Sequence, residues 1–154
     1  SLDCADDYGV CVALADKLGI TVEGEYCHLQ GGPHGRYGRL DVSSAEFRDR
    51  LQSLEPEYQA VGEIEDIESA TISIVGGGGG HLNEIVEEAI EIGCDVFITG
   101  NSTFVNGIYA YEKRLTMITL EETSSEKWGV YQLGAELESA FPGIETIRFD
   151  ERNW

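Results

Sequence analysis

Basic residues are scarce in this chain. Ten Lys and Arg stand against 29 Asp and Glu, a net charge of −19, and only Lys17, Lys113 and Lys127 are lysine. A field of that sign repels phosphate backbones and anionic headgroups, which argues against nucleic acids and membrane surfaces as partners. So few lysines also argue against the Lys/Glu ion-pair surface of a hyperthermophile. Histidine is limited to His28, His34 and His81, and the cysteines Cys4, Cys11, Cys27 and Cys94 show no CxxC spacing. Neither a zinc knuckle nor a redox motif is signalled, and buried free thiols are the expectation. No Ser/His/Asp or Cys/His constellation can be assigned, no repeat is evident, and no apolar run reaches membrane length, so a soluble, cytoplasmic protein is expected. A leading methionine is missing too: Ser1-Leu2-Asp3 reads as if entered mid-element, which suggests a piece or processed product of a longer chain.

What the chain does hold is 154 residues with 42% hydrophobic content, enough for a single α/β domain over 1–154. Its excess acidity points to salt adaptation or to a cationic partner. Under the first reading the melting midpoint rises markedly with added salt, and a flat salt dependence removes it.

The organising stretch is Ala70 to Gly100. Thr71 to Val75 is mostly β-branched and ends in five glycines, Gly76 to Gly80, as a buried strand does when it enters a turn of unusual φ and ψ. Leu82, Ile85, Val86, Ala89 and Ile90 then recur at three and four residue spacings, with Glu84, Glu87, Glu88 and Glu91 mainly opposite, so a one-sided helix opens at His81. Asp95 to Thr99 makes a second strand. The unit is βαβ with a right-handed crossover, which implies a mainly parallel sheet flanked by helices and a site at its carboxyl edge.

Residues 1–69 form an acidic, glycine-rich front part, and 70–154 a βαβαβ part. In front, Tyr8 to Leu18 reads as a helix capped by Asp6 or Asp7 and stopped by Gly19, and Ile20 to Tyr26 as a strand. His28 to Gly38 reads as a glycine-rich connection. Ser43 and Glu46 make a capping box for a helix through Leu54, and Tyr58 to Val61 is a short strand. Behind the central unit, Phe104 to Tyr111 reads as helix and Leu115 to Leu120 as strand. Trp128 to Phe141 reads as a helix burying Val130, Leu133, Leu137 and Phe141, and Ile144 to Phe149 as the last strand.

Two features could carry chemistry. The amides of Gly77, Gly78, Gly79 and Gly80 could receive a substrate anion at a helix N-terminus, or the run could be a structural turn; His81-Leu82 follows where a P-loop needs Lys and Ser/Thr. Glu122 and Glu126 are four apart, so a helical turn before Trp128 would put both on one face with reach to a divalent cation, and Asp3 could join them. Against this, Glu pairs at that spacing are common in so acidic a chain. His28 and His34 read as surface or structural residues, and His81, which opens the helix, as a solvated histidine or a donor to an anion.

The segments SLD, ALADKLGI, GRYGRL followed by SSAEF, ISIVGGGGG, GCDVFITG and TSSEKWGVYQLGAEL resemble, in that order, the NIF-three-like dinuclear-metal proteins, also described as GTP cyclohydrolase type 2 homologs. The resemblance covers the whole chain but only the later two thirds of a usual member. It implies an α/β subunit of a hexameric toroid, two metal ions per subunit facing a cavity, and a hydrolytic activity on a nucleotide or phosphorylated small molecule. Asp3 matches the family's metal-binding aspartate and Glu126 its metal-binding glutamate. Glu122 stands where the family has a histidine, the family's N-terminal His pair would fall before Ser1, and Asn101 replaces the acidic residue usual after ITG. The identity of the divalent metal (Zn, Fe, Co, Mn or Mg) is open, and fewer imidazoles shift the expectation toward Mg or Mn. The alternative is an assembly or interaction protein that keeps the scaffold with a degraded metal site.

Overall fold

The computed structural model describes residues 2–29 and 31–149. A 3₁₀ turn at Leu2–Cys4 leads into α1 (Val10–Leu18), β1 (Ile20–Leu29), β2 (Gly32–Leu40), α2 (Ser44–Leu54), β3 (Gln59–Val61) and β4 (Ile72–Val75). Then follow α3 (Asn83–Glu91), β5 (Val96–Thr99), α4 (Phe104–Glu112), β6 (Thr116–Thr119) and α5 (Glu122–Ala140). The six strands form one sheet in the order β1-β2-β4-β5-β6-β3. It is an α/β sheet of mixed sense: β4, β5 and β6 run parallel at its centre, and the ladders toward both edges are antiparallel.

Period-two alternation in the central strands feeds a core on each face. Ile72, Ile74, Val96, Ile98 and Ile118 point to the side where Leu14 and Leu18 of α1 and Phe47 and Leu51 of α2 pack. Val75, Phe97 and Met117 point to the other side, against Val86 and Ala89 of α3 and Ala110 of α4. The βαβ unit read from the sequence is present, with α3 beginning at Asn83 rather than His81.

Four expectations need correction. The glycine-rich stretch read as a connection is largely strand β2, paired along its length with β1. A tyrosine ring lies across from one glycine on each strand: Gly35 of β2 pairs with Tyr26, and Gly24 of β1 with Tyr37. A Cβ at Gly35 or Gly24 would run into the facing tyrosine. The cap of α1 is Gly9, not Asp6 or Asp7, and Asp6 turns instead to Arg36.

The last helix starts six residues early, at Glu122, and buries Ser124, Ser125 and Gly129 rather than Val130, Leu137 and Phe141, which are exposed. Small residues prevail because α1 and α5 cross closely: a Cβ at Gly129 would stand 2.8 Å from the Val10 Cα. Residues 144–149 form no strand, since the place beside β6 is taken by β3. Thr146 folds back instead, donating from its amide and hydroxyl to Glu138. By contrast, the Ser43 cap accepts from the Glu46 amide, and Gly19 ends α1 in the left-handed conformation, both as read from the sequence.

Candidate metal centre

The carboxyl ends of β4, β5 and β6 share one edge of the sheet, and β4 empties there into the glycine turn. Side chains from β5, α4 and α5 hold the turn. The Gly77 amide donates to Ser125 Oγ and the Gly80 amide to Thr99 Oγ1, each at 3.0 Å, and the Asn106 amide group donates to the Gly80 carbonyl. The amides of Gly78 and Gly79 show no hydrogen bond to the protein among the described residues. Gly77 sits at φ +60, and a Cβ there would collide with Glu126 Oε1. The glycine is what lets that carboxylate lean over the turn.

Around this turn a cavity of about 160 Å³ is lined by Asp3, His34 and Glu126, with Cys11, Gly76, Gly78 and Gly79 among its walls. Each side chain arrives from a different element. Asp3 is carried by the 3₁₀ turn ahead of α1, and Glu126 by the second turn of α5. His34 comes from the start of β2. The β2–β4 register pairs Arg36 with Ile74, so two residues further it brings His34 level with Gly76. His34 Nδ1 lies 3.7 Å from Asp3 Oδ2, and its Nε2 is shielded from solvent without a hydrogen-bond partner among the described residues.

Charge is concentrated here. The Glu126 carboxyl is raised above the ordinary range, first by partial burial and then by the Asp3 and Glu122 carboxylates. Cys11 donates to the His34 carbonyl at 3.1 Å, and burial pushes its thiol up to about 12, so it stays a neutral donor. The geometry thus brings Asp3 and Glu126 together. Glu122 lines the next cavity instead, about 410 Å³, beside Asn101, Ser102 and Thr119. Its Oε1 and His81 Nδ1 both lie about 4 Å from where a Gly78 Cβ would stand.

The donor set of carboxylates and imidazole suits a divalent cation, and an orphaned, shielded imidazole nitrogen is the kind of atom that a cation satisfies. Among the described residues no three such donors stand close enough to enclose an ion, so the arrangement is an open one. The sequence reads His34 as a surface or structural residue and does not single out Arg36. The available signal was a His and an Arg between the glycines of GGPHGRYG, in a segment read as loop.

The acidic side chains and the imidazole lie at the carboxyl edge of the parallel strands, where open α/β sheets have their crevice. The chain belongs to the family described as Duf34/NIF3 (NGG1p interacting factor 3), which it matches over residues 1–153. It is 29% identical over 133 residues to a "GTP cyclohydrolase 1 type 2 homolog" of Methanothermobacter thermautotrophicus, covering 86% of this chain and 55% of that protein. The fold is similar to reduced HcgD from Methanocaldococcus jannaschii, with a TM-score of 0.75 at 23% identity, over 91% of this chain and 54% of that one. It is also similar to the protein ybgI, of unknown function, at 0.73 and 24%, over 90% and 54%. The chain therefore spans about half the length of these relatives. No helix among the described residues is long and apolar enough to cross a membrane.

Proposed function

We propose that this chain binds a divalent cation between Asp3 and Glu126 and serves a metal-dependent hydrolase acting on a nucleotide or phosphorylated small molecule. The observation that carries the reading is the placement of Glu126. Its carboxylate is drawn over a glycine turn into a cavity shared with Asp3, at the cost of like-charge repulsion that a cation would relieve. Glu122, one helical turn away, would hold a second cation or a water shell at the neighbouring cavity. A bound divalent cation supplies Lewis acidity and lowers the pKa of water. The chain's own part is to position carboxylates, to keep the Cys11 thiol neutral, and to offer the Gly78 and Gly79 amides to a substrate anion in place of the four amides Gly77 to Gly80.

A second reading has its own support. The wide spacing of the donors suits an assembly protein with a degraded site, and α4 presents Phe104, Val105, Ile108 and Tyr111 to solvent as one apolar face. On either reading the chain acts as a homo-oligomer, a hexamer by family resemblance. Calorimetric titration with Mn(II) and Zn(II) separates the two. The hydrolase reading expects binding that Glu126→Ala weakens at least about tenfold, and the assembly reading expects no heat from either protein.

A further inference from the structure

We propose that the buried carboxylate of Glu55 is a positioning residue for this site: through Ser124 it fixes the first turn of α5 against the glycine turn, and so sets where Glu126 stands. The inference rests on the reading of Glu126 given above and adds the residue behind the site that aims it.

Glu55 is in an unfavourable place for a carboxylate. It is 4% exposed, and it caps the carboxyl end of α2, where the helix dipole opposes negative charge. Both oxygens nevertheless have a donor. Oε1 accepts from the Glu57 amide at 3.1 Å, and Oε2 accepts from the Ser124 hydroxyl at 2.6 Å, the short distance of a charge-assisted bond. Ser124 lies 69 residues further along the chain and is fully buried. The pair therefore joins the end of α2 to the start of α5.

Ser125 is equally buried and projects about 100° further round the helix, so it reaches the glycine turn instead. Its hydroxyl accepts from the Gly77 amide at 3.0 Å and donates to the Glu122 carbonyl at 2.8 Å. Two adjacent serines thus hold one helical turn between α2 and the glycine turn. The far side of Gly77 is held as well: its carbonyl accepts from the Asn101 amide at 2.8 Å, and a Cβ at Gly100 would collide with Ser125 Oγ.

Slack here is small. Glu126 follows Ser125 directly, and its carboxylate lies so close over Gly77 that a Cβ there would collide with it. A binding group held to within about 0.5 Å needs a supporting contact behind it, and a buried, charge-assisted bond fixes direction as apolar packing does not.

The glycine turn supplies its own reference for a test. The Gly77 amide is held by Ser125 of α5, whereas the Gly80 amide is held by Thr99 of β5. Amide hydrogen exchange at the two glycines is read by NMR on the full chain. Replacing both partners with apolar side chains, Glu55→Met with Ser124→Ala, removes the bond without leaving either group buried and unpaired, so the melting midpoint should change little. The proposal expects Gly77 exchange to rise at least about tenfold relative to Gly80, and Glu55→Gln, which keeps an acceptor for Ser124, to stay within about threefold. It also expects Mn(II) affinity to fall about tenfold in the double variant. Should the double variant not fold, Ser124→Ala alone carries the same expectation for Gly77. Exchange that rises equally at Gly77 and Gly80, or at neither, overturns the proposal, since a packing role alone acts on the whole fold. Faster exchange at Gly77 with Mn(II) affinity unchanged also overturns it, because the pair then does not set Glu126. If the unaltered chain binds no Mn(II), the metal reading fails, and the exchange ratio still decides whether Glu55 positions α5.

Discussion

Two segments of this chain are rich in glycine, and they solve opposite problems with the same residue. In β2, Gly35 and Gly38 lie in regular strand and make room for what stands across the ladder, the Tyr26 ring and the Thr21 carbonyl. In the turn after β4, Gly77 takes a left-handed φ and makes room for Glu126. The first segment accommodates its partner strand and the second a carboxylate, yet both end at the same cavity, because the β2–β4 pairing sets His34 level with Gly76. Composition alone cannot separate the two roles. What separates them is which atom would meet an added Cβ.

The contrast can be broken by substitution. The largest effect is expected at Gly38→Ala, where the new Cβ meets the backbone of the partner strand. Denaturant unfolding should show a loss of about 3 kcal/mol or more, since a backbone neighbour cannot swing aside. At Gly77→Ala the φ strain costs roughly 1–2 kcal/mol, and displacement of Glu126 should weaken Zn(II) binding as well. If Gly38→Ala lowered metal affinity with stability intact, or Gly77→Ala did the reverse, the division between the segments would collapse.

A smaller, pH-dependent effect is expected at Glu126. Its carboxyl is raised in the folded chain, so the folded state holds the proton more tightly than the unfolded one, and stability falls as pH rises through that interval. In metal-free protein, Glu126→Gln should therefore raise the melting midpoint at neutral pH. The gain should fade as pH drops below the ordinary carboxylate range. Saturating Zn(II) should invert the order by stabilising only the unaltered chain. The least change is expected at Gly107→Ala in α4, where a Cβ meets nothing nearer than Val61 at 4.0 Å. A gain of about 0.5–1 kcal/mol should follow from helix propensity alone, which checks that glycine replacement is not harmful in itself.

The parts legible in the sequence were those set by local pattern: the βαβ unit, the Ser43 cap, the Gly19 stop and short strand β3. What escaped was set by partners distant in sequence. Nothing near Gly35 announces Tyr26 as its neighbour, so strand β2 read as loop. The apolar spacing of Val130 and Leu137 was real but faced solvent, because Gly129 and Ser125 draw α5 against α1 by their small size. The grouping of Asp3 with Glu126 is read from carboxylate spacing and from the family resemblance, and both residues line one cavity. His34 reads as a surface or structural residue because the Arg36 and Asp3 beside it in the fold are not expressed by spacing in the chain.

The central claim is that the glycine turn after β4 aims Glu126 at a cation shared with Asp3. Metal analysis of protein purified without chelator, beside Asp3→Asn, tests it most directly. The account predicts roughly one divalent ion per chain, largely lost in the variant. Less than about a tenth of an ion per chain, unchanged by the substitution, would contradict it.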